Sequence, residues 1–178
     1  MNDPRLSENP VTLEAPVRDA ILIALDDEYN AEAVYAATLD KFGADVRPFC
    51  NIINAERRHQ AALFKLMETY NIPVPANGYL TGDKPIDAIP DTLQEACAVG
   101  VSAEIENARL YDEDLLPTVA AHADITRVFM ALSGASTNNH LPAFKRCADG
   151  GGQGRGKGGG QGQRQGRTRA GATQNKGI

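Results

Sequence analysis

From Phe49 to Tyr70 the apolar residues Phe49, Ile52, Ile53, Leu63, Met67 and Tyr70 keep to a helical period, which predicts the inner face of an amphipathic helix. Glu56 and His59 stand in the middle of that stripe, three apart and therefore on the same face. Nothing else in the chain constrains the fold as much, because burying charge is costly unless a partner or a metal offsets it. An inward Glu-x-x-His on a helix is the pattern of di-iron and di-manganese carboxylate bundles, in which other helices complete the ligand set.

The chain offers three such helices. The first is predicted from near Pro16 to Phe42, with Ile21, Leu25, Glu28, Glu32, Tyr35, Leu39 and Phe42 inward and a stop at Gly43-Ala44-Asp45. The Glu-x-x-His helix runs from about Arg47 to Tyr70, and a Gly- and Pro-containing loop then extends to Pro90. The third is predicted to start at an Asp91 cap with Glu95 in its first turns, presenting Leu93, Cys97, Gly100, Glu104, Ala108, Tyr111 and Leu115 before Pro117. The fourth spans about Asp124 to Cys147, with Phe129, Leu132, Ser136, His140 and Phe144 available to the interior. Long helices, one extended connection and no strand-like alternation predict an all-α, up-down four-helix bundle over residues 15–148, with a long crossover between helices two and three. The absence of tryptophan and the few aromatic residues argue against a β-sandwich.

The inward polar residues then form one set: Glu28, Glu56, His59, Glu104 and His140. Three carboxylates in one apolar interior repel one another and are driven toward protonation. Two divalent metal ions, iron before manganese, relieve both problems, with an imidazole for each ion. Taken singly, each residue has a plainer explanation. Glu28 lies in the acidic run Leu25-Asp26-Asp27-Glu28, Glu32 competes with it for the inward position, and Thr137-Asn138-Asn139-His140 resembles a polar helix end. Glu104 and Glu106 point nearly opposite ways, and the apolar stripe selects Glu104. Agreement among four helices favours the metal.

The ends are different in kind. Residues 1–14, with Pro4 and Pro10 and no periodicity, are expected to form a flexible arm. The net charge of −5 conceals an asymmetry: residues 1–149 hold all 23 acids and 12 of the 18 Lys and Arg, for −11, and residues 150–178 carry +6. Residues 149–178, rich in Gly, Arg and Gln, cannot bury a core and are expected to be disordered. Basic residues without aromatics there allow salt-sensitive contact with a polyanion, although a solubilising extension is the simpler expectation. With no apolar run of membrane-spanning length, the chain reads as soluble and, unless a leader has been removed, cytoplasmic. Cys50, Cys97 and Cys147, odd in number and far apart, read as small buried hydrophobes and not as a disulfide framework.

Four blocks in order carry a family resemblance: Phe49-Cys50-Asn51-Ile52 with Glu56-Arg57-Arg58-His59, Glu28 seven residues ahead of Tyr35, Val99-Gly100-x-x-x-Glu104, and Asn139-His140-Leu141-Pro142-Ala143-Phe144. Over roughly residues 20–148 the chain resembles an uncharacterised ferritin-like domain family, DUF2202, related to ferritins and rubrerythrins. The family carries no assigned reaction, and the ligand set itself predicts a non-haem dinuclear metal protein with oxidoreductase activity, ferroxidase-like or rubrerythrin-like. Oxygen or peroxide would be its substrate and the electron donor external, since there is no Cys-x-x-Cys pair. A homo-oligomer is a candidate partner that neither the sequence nor the resemblance decides. The alternative is a non-catalytic metal-binding or interaction scaffold. Three departures stand out: Asn107 where the family tends to have Asp, Pro142 where it usually has Arg, and Thr137 where its relatives commonly supply a carboxylate or amide. Pro142 is expected to interrupt the fourth helix between Asn138 and Leu141.

Overall fold

The computed structural model describes residues 12–151, so most of the expected arm and tail lies outside the described residues. Helix α1 (Ala15–Phe42) carries Pro16 in its first turn, where a missing N–H costs nothing. It ends at Gly43, whose φ of +118° suits glycine and whose N–H donates to the Leu39 carbonyl at 2.8 Å. Helix α2 (Phe49–Thr69) ends where Asn71 takes φ 53° and Ile72 N–H reaches back to the Met67 carbonyl at 2.7 Å.

Residues 70–92, with the one-turn helix α3 (Gly78–Thr81), run back along α1. Tyr29 Oη donates to the Pro75 carbonyl at 3.0 Å, Tyr79 Oη to Asp26 at 2.9 Å, and Lys84 pairs with Asp26. Near the other end, Lys41 Nζ donates to the Ile89 carbonyl and to Asp91, each at 3.0 Å. Helix α4 (Leu93–Arg109) therefore starts beside the Phe42 end of α1, as α2 does, and runs the same way as α2. Its cap is Thr92 and not Asp91: Thr92 Oγ1 accepts from Glu95 N–H at 3.2 Å while the Glu95 carboxylate accepts from Thr92 N–H at 3.1 Å. The Asp91 carboxylate is taken by Lys41 instead.

Helix α4 passes into a π turn, π1 (Leu110–Leu115), and the short α5 (Leu116–Val119); α6 (Ala123–Ala135) passes through π2 (Ser136–His140) into α7 (Leu141–Ala148). Each π turn precedes a proline, Pro117 or Pro142, in the first turn of the next helix. A proline has no N–H and crowds the carbonyl four residues back, and a widened turn accommodates both. The expected interruption at Asn138–Leu141 is thus corrected: the turn widens over Ser136–His140, Leu141 N–H bonds the Ser136 carbonyl, and the backbone stays right-handed helical. No strand occurs among the described residues, and no described helix is long and apolar enough to cross a membrane.

Along α4 and the last helix, Cys97 faces Cys147, Gly100 faces Phe144, and Glu104 faces His140. Each step up one helix matches an equal step down the other, as antiparallel packing requires. Cys97 and Cys147 form a disulfide, which corrects their assignment as unpaired hydrophobes; only Cys50 is free. Spacing could not reveal the pair because the register that joins them is tertiary. At Gly100 a Cβ would lie 2.6 Å from Phe144 Cδ1, so glycine permits the close approach of the two helices. Gly100→Ala is expected to lose about 1–3 kcal/mol of stability by overpacking, read as a shift in the urea midpoint.

Two apolar clusters fill the interior. One gathers Leu25, Leu63, Met67, Tyr111, Ile125 and Phe129; the other gathers Tyr35, Phe49, Ile53, Cys97 and Phe144. Counting α4 with π1 and α6 with π2 and α7, every long helix contributes to both clusters, and near the middle each carries buried polar residues: Glu28 and Glu32, Glu56 and Gln60, Glu104, and Ser136 and His140. The polar layer is sealed above and below by packed apolar side chains.

Candidate metal centre

All five residues selected from sequence meet in this layer. Glu28, Glu56 and Glu104 are each only 3% exposed and His140 4%, so none faces solvent, and His59 is partly buried. Glu56 divides its carboxylate between two imidazoles. Its Oε2 lies 2.9 Å from His59 Nδ1 and its Oε1 lies 3.3 Å from His140 Nδ1. Glu28 Oε2 approaches His59 Nδ1 from α1 at 3.2 Å, and Glu104 Oε1 approaches His140 Nδ1 from α4 at 3.5 Å. The imidazole rings lie 5.6 Å apart at 24°. Ligand atoms of Glu56, His59 and His140 all fall within 4.8 Å of one another, close enough to hold a metal ion.

His140 Nδ1 tests whether these residues fit a metal. It is buried, it has two carboxylate oxygens nearby, and yet it makes no aligned hydrogen bond. A buried nitrogen without a partner is costly. Groups that surround a common point and leave one buried nitrogen unsatisfied suit a cation at that point.

The electrostatics agree. Burial alone would lower both imidazoles, but Glu28 and Glu56 hold His59 up at about 10, and Glu104 and Glu56 hold His140 at about 9. Burial works to raise Glu56, yet the facing imidazoles of His140 and His59 bring it down to about 2. Glu28 is pushed well above the usual carboxylate range by burial, with the charge of Glu56 adding to it against the His59 hydrogen bond. Protons on the two imidazoles supply in this state the positive charge that three clustered carboxylates demand.

The competition between Glu28 and Glu32 also resolves. Both are buried, but Glu32 is satisfied by Arg57 Nε at 2.7 Å and by Gln60 Nε2 at 2.9 Å. Glu106 is exposed and paired with Arg109 at 3.1 Å. Thr137 is exposed, and in the widened π turn Ser136 lines the interior cavity instead.

Sequence reasoning missed two side-chain partnerships and one unsatisfied hydroxyl. Tyr35 Oη donates to Glu104 Oε1 at 3.1 Å; Tyr35 was assigned inward, but not this bond. Asn107 Nδ2 donates to Asp27, which an aspartate at position 107 would not do when ionised, so the departure at 107 and the half-buried Asp27 explain each other. Burial above all raises Asp27 to about 6. Tyr111, on π1, is fully buried with its hydroxyl unpartnered. Its place in a π turn gave no sequence signal beyond the following proline.

The model of the family described as "Uncharacterized protein domain (DUF2202)" matches residues 18–156, and the chain belongs to that family. Neither a curated protein nor a solved structure matches it.

Proposed function

We propose that this DUF2202 member is a ferritin-like four-helix bundle whose Glu28, Glu56, His59, Glu104 and His140 hold two divalent metal ions for oxidoreductase chemistry. In this arrangement α1, α2, α4 and the α6–α7 helix are the four members, and residues 70–92 are the crossover. The observation that carries the proposal is the cluster around Glu56: one carboxylate shared by two imidazoles, a second carboxylate beside each, and a buried His140 Nδ1 without a hydrogen bond. Glu28 and His59 would hold one ion, Glu104 and His140 the other, and Glu56 both. Iron, when bound there, supplies electrons to oxygen or peroxide, as in iron oxidation or peroxide reduction.

The chain's own residues prepare the site. Tyr35 orients Glu104 through its hydroxyl, and Gln60 ties α2 to α1 through Glu32 and the Glu28 carbonyl. The apolar clusters on both sides limit water. Asp27, at about 6, holds or releases a proton near neutrality at the cavity wall. Electrons come from outside the chain or from ferrous iron itself. The disulfide favours an oxidising compartment over the cytoplasm.

One observation supports the second reading, a metal-binding scaffold without turnover: the last helix brings no carboxylate to the cluster, its position 137 being an exposed threonine. Anaerobic titration with ferrous iron separates the possibilities. Protein purified without metal is expected to take up about two ions per chain, given the paired ligand set. With the imidazoles at about 10 and about 9, both are protonated at pH 7 and must lose their protons to bind metal. Uptake should therefore acidify a weakly buffered solution, and apparent affinity should rise with pH toward 9. No uptake refutes the metal centre. Uptake without oxygen consumption on aeration identifies the scaffold.

A further inference from the structure

Two tyrosines flank the polar layer, one from each apolar cluster. Tyr35 packs against Phe49 and Phe144, and Tyr111 against Phe129. Each stands seven residues after a buried glutamate, Tyr35 after Glu28 and Tyr111 after Glu104. Seven residues are close to two helical turns, so each glutamate shares a face with its tyrosine. Because α4 runs against α1, seven steps up one helix match seven steps down the other. The register that sets Tyr35 opposite Glu104 therefore sets Tyr111 opposite Glu28.

The two halves differ in one respect. Tyr35 Oη donates to Glu104 Oε1 at 3.1 Å, whereas the Tyr111 hydroxyl, fully buried, has no hydrogen-bond partner. An unsatisfied buried hydroxyl carries a cost that phenylalanine would avoid, so a tyrosine here calls for a state in which the hydroxyl is used. Burial pushes both hydroxyls well above the usual tyrosine range, and the next cause is the charge of the facing glutamate, Glu104 for Tyr35 and Glu28 for Tyr111. Both therefore keep their protons and can donate. In the described state Glu28 gives Oε2 to His59 at 3.2 Å.

We propose that Tyr111 is a positioning residue of the centre: with a metal ion held by Glu28 and His59, the Tyr111 hydroxyl donates to the Glu28 carboxylate, as Tyr35 donates to Glu104. The inference rests on the metal reading of the cluster. An ion between Glu28 and His59 replaces their direct contact, and a carboxylate can ligate with one oxygen while accepting with the other. No solvent has to reach the hydroxyl, since its partner comes from the opposite helix.

The full chain, stripped of metal, is titrated calorimetrically with zinc, which binds oxygen and nitrogen ligands without redox chemistry. Parent, Tyr111→Phe and Tyr35→Phe are compared. Urea midpoints are measured without metal, and ultraviolet difference spectra at zinc saturation. Without metal, Tyr111→Phe should leave the midpoint unchanged or raised, because it removes an unsatisfied group. Tyr35→Phe should lower it, because it breaks a formed bond. With zinc, each variant should lose about ten-fold in affinity for one ion and keep the other, and the double variant should weaken both. The parent should show a zinc-induced tyrosine difference band, from a hydroxyl that gains a carboxylate acceptor. That band should be absent in Tyr111→Phe and retained in Tyr35→Phe. A lower metal-free midpoint in Tyr111→Phe, or a band that survives the substitution, overturns the proposal. Zinc uptake by the parent that Tyr111→Phe leaves unchanged refutes the contact alone. Absence of uptake by the parent refutes the metal reading and this inference with it.

Discussion

Glu56→Ala is expected to lower iron affinity by at least about 100-fold, while Glu106→Ala leaves it unchanged. The lower bound follows from the 10- to 100-fold losses seen when groups that merely orient metal ligands are removed, and Glu56 is placed more centrally than that. It is the one residue whose two oxygens approach both imidazoles, at 2.9 and 3.3 Å. Its removal leaves His59 with Glu28 and His140 with Glu104, two separated pairs and no shared carboxylate. Glu106 lies two residues from Glu104 but is exposed and paired with Arg109, so it controls for the loss of one negative charge on the surface. Isothermal titration of both variants under argon, with circular dichroism to verify folding, provides the comparison. Equal losses in the two variants would mean that iron is attracted by the net acidity of the bundle and not held by this cluster.

Helical periodicity explains why so much of this arrangement was legible. Ile21, Leu25, Glu28 and Tyr35 share a face because their spacing alternates three and four, and the structure buries all of them. Glu104 was separable from Glu106 by the same argument. What periodicity does not carry is the relation between helices. The pairing of Cys97 with Cys147 depends on the antiparallel register of α4 and α7, which no local pattern encodes. The π turns were invisible for a related reason: Phe129, Leu132, Ser136, His140 and Phe144 keep steps of three and four residues straight through the widened turn. Pro142 signalled that the fourth helix would deviate, and the structure moved the deviation back into Ser136–His140. Similarly, Asn107 looked like a lost charge until Asp27 stood opposite it.

The double variant Cys97→Ser, Cys147→Ser is expected to lose about 4 kcal/mol of stability, the chain-entropy value for a disulfide closing a loop of 50 residues. Such a loss is a large share of the stability of an ordinary domain. The consequence should reach the metal centre. The disulfide, the Gly100–Phe144 contact and the Glu104–His140 approach are successive rungs between the same two helices. Releasing the first rung lets α4 and α7 separate where Phe144 packs against Tyr35 and Phe49, with ring centroids 5.5 and 5.2 Å away. Tyr35 in turn holds Glu104. Iron affinity of the double variant should therefore fall in conditions where the fold is still intact, well below the urea midpoint. The half formed by Glu104 and His140 should weaken before the half formed by Glu28 and His59, so stepwise titration would show one site lost first. Adding a thiol reductant to the parent protein should produce the same change, and reoxidation should reverse it. A double variant that is less stable yet binds both ions as tightly as the parent would show that the disulfide stabilises the fold without setting the geometry of the centre.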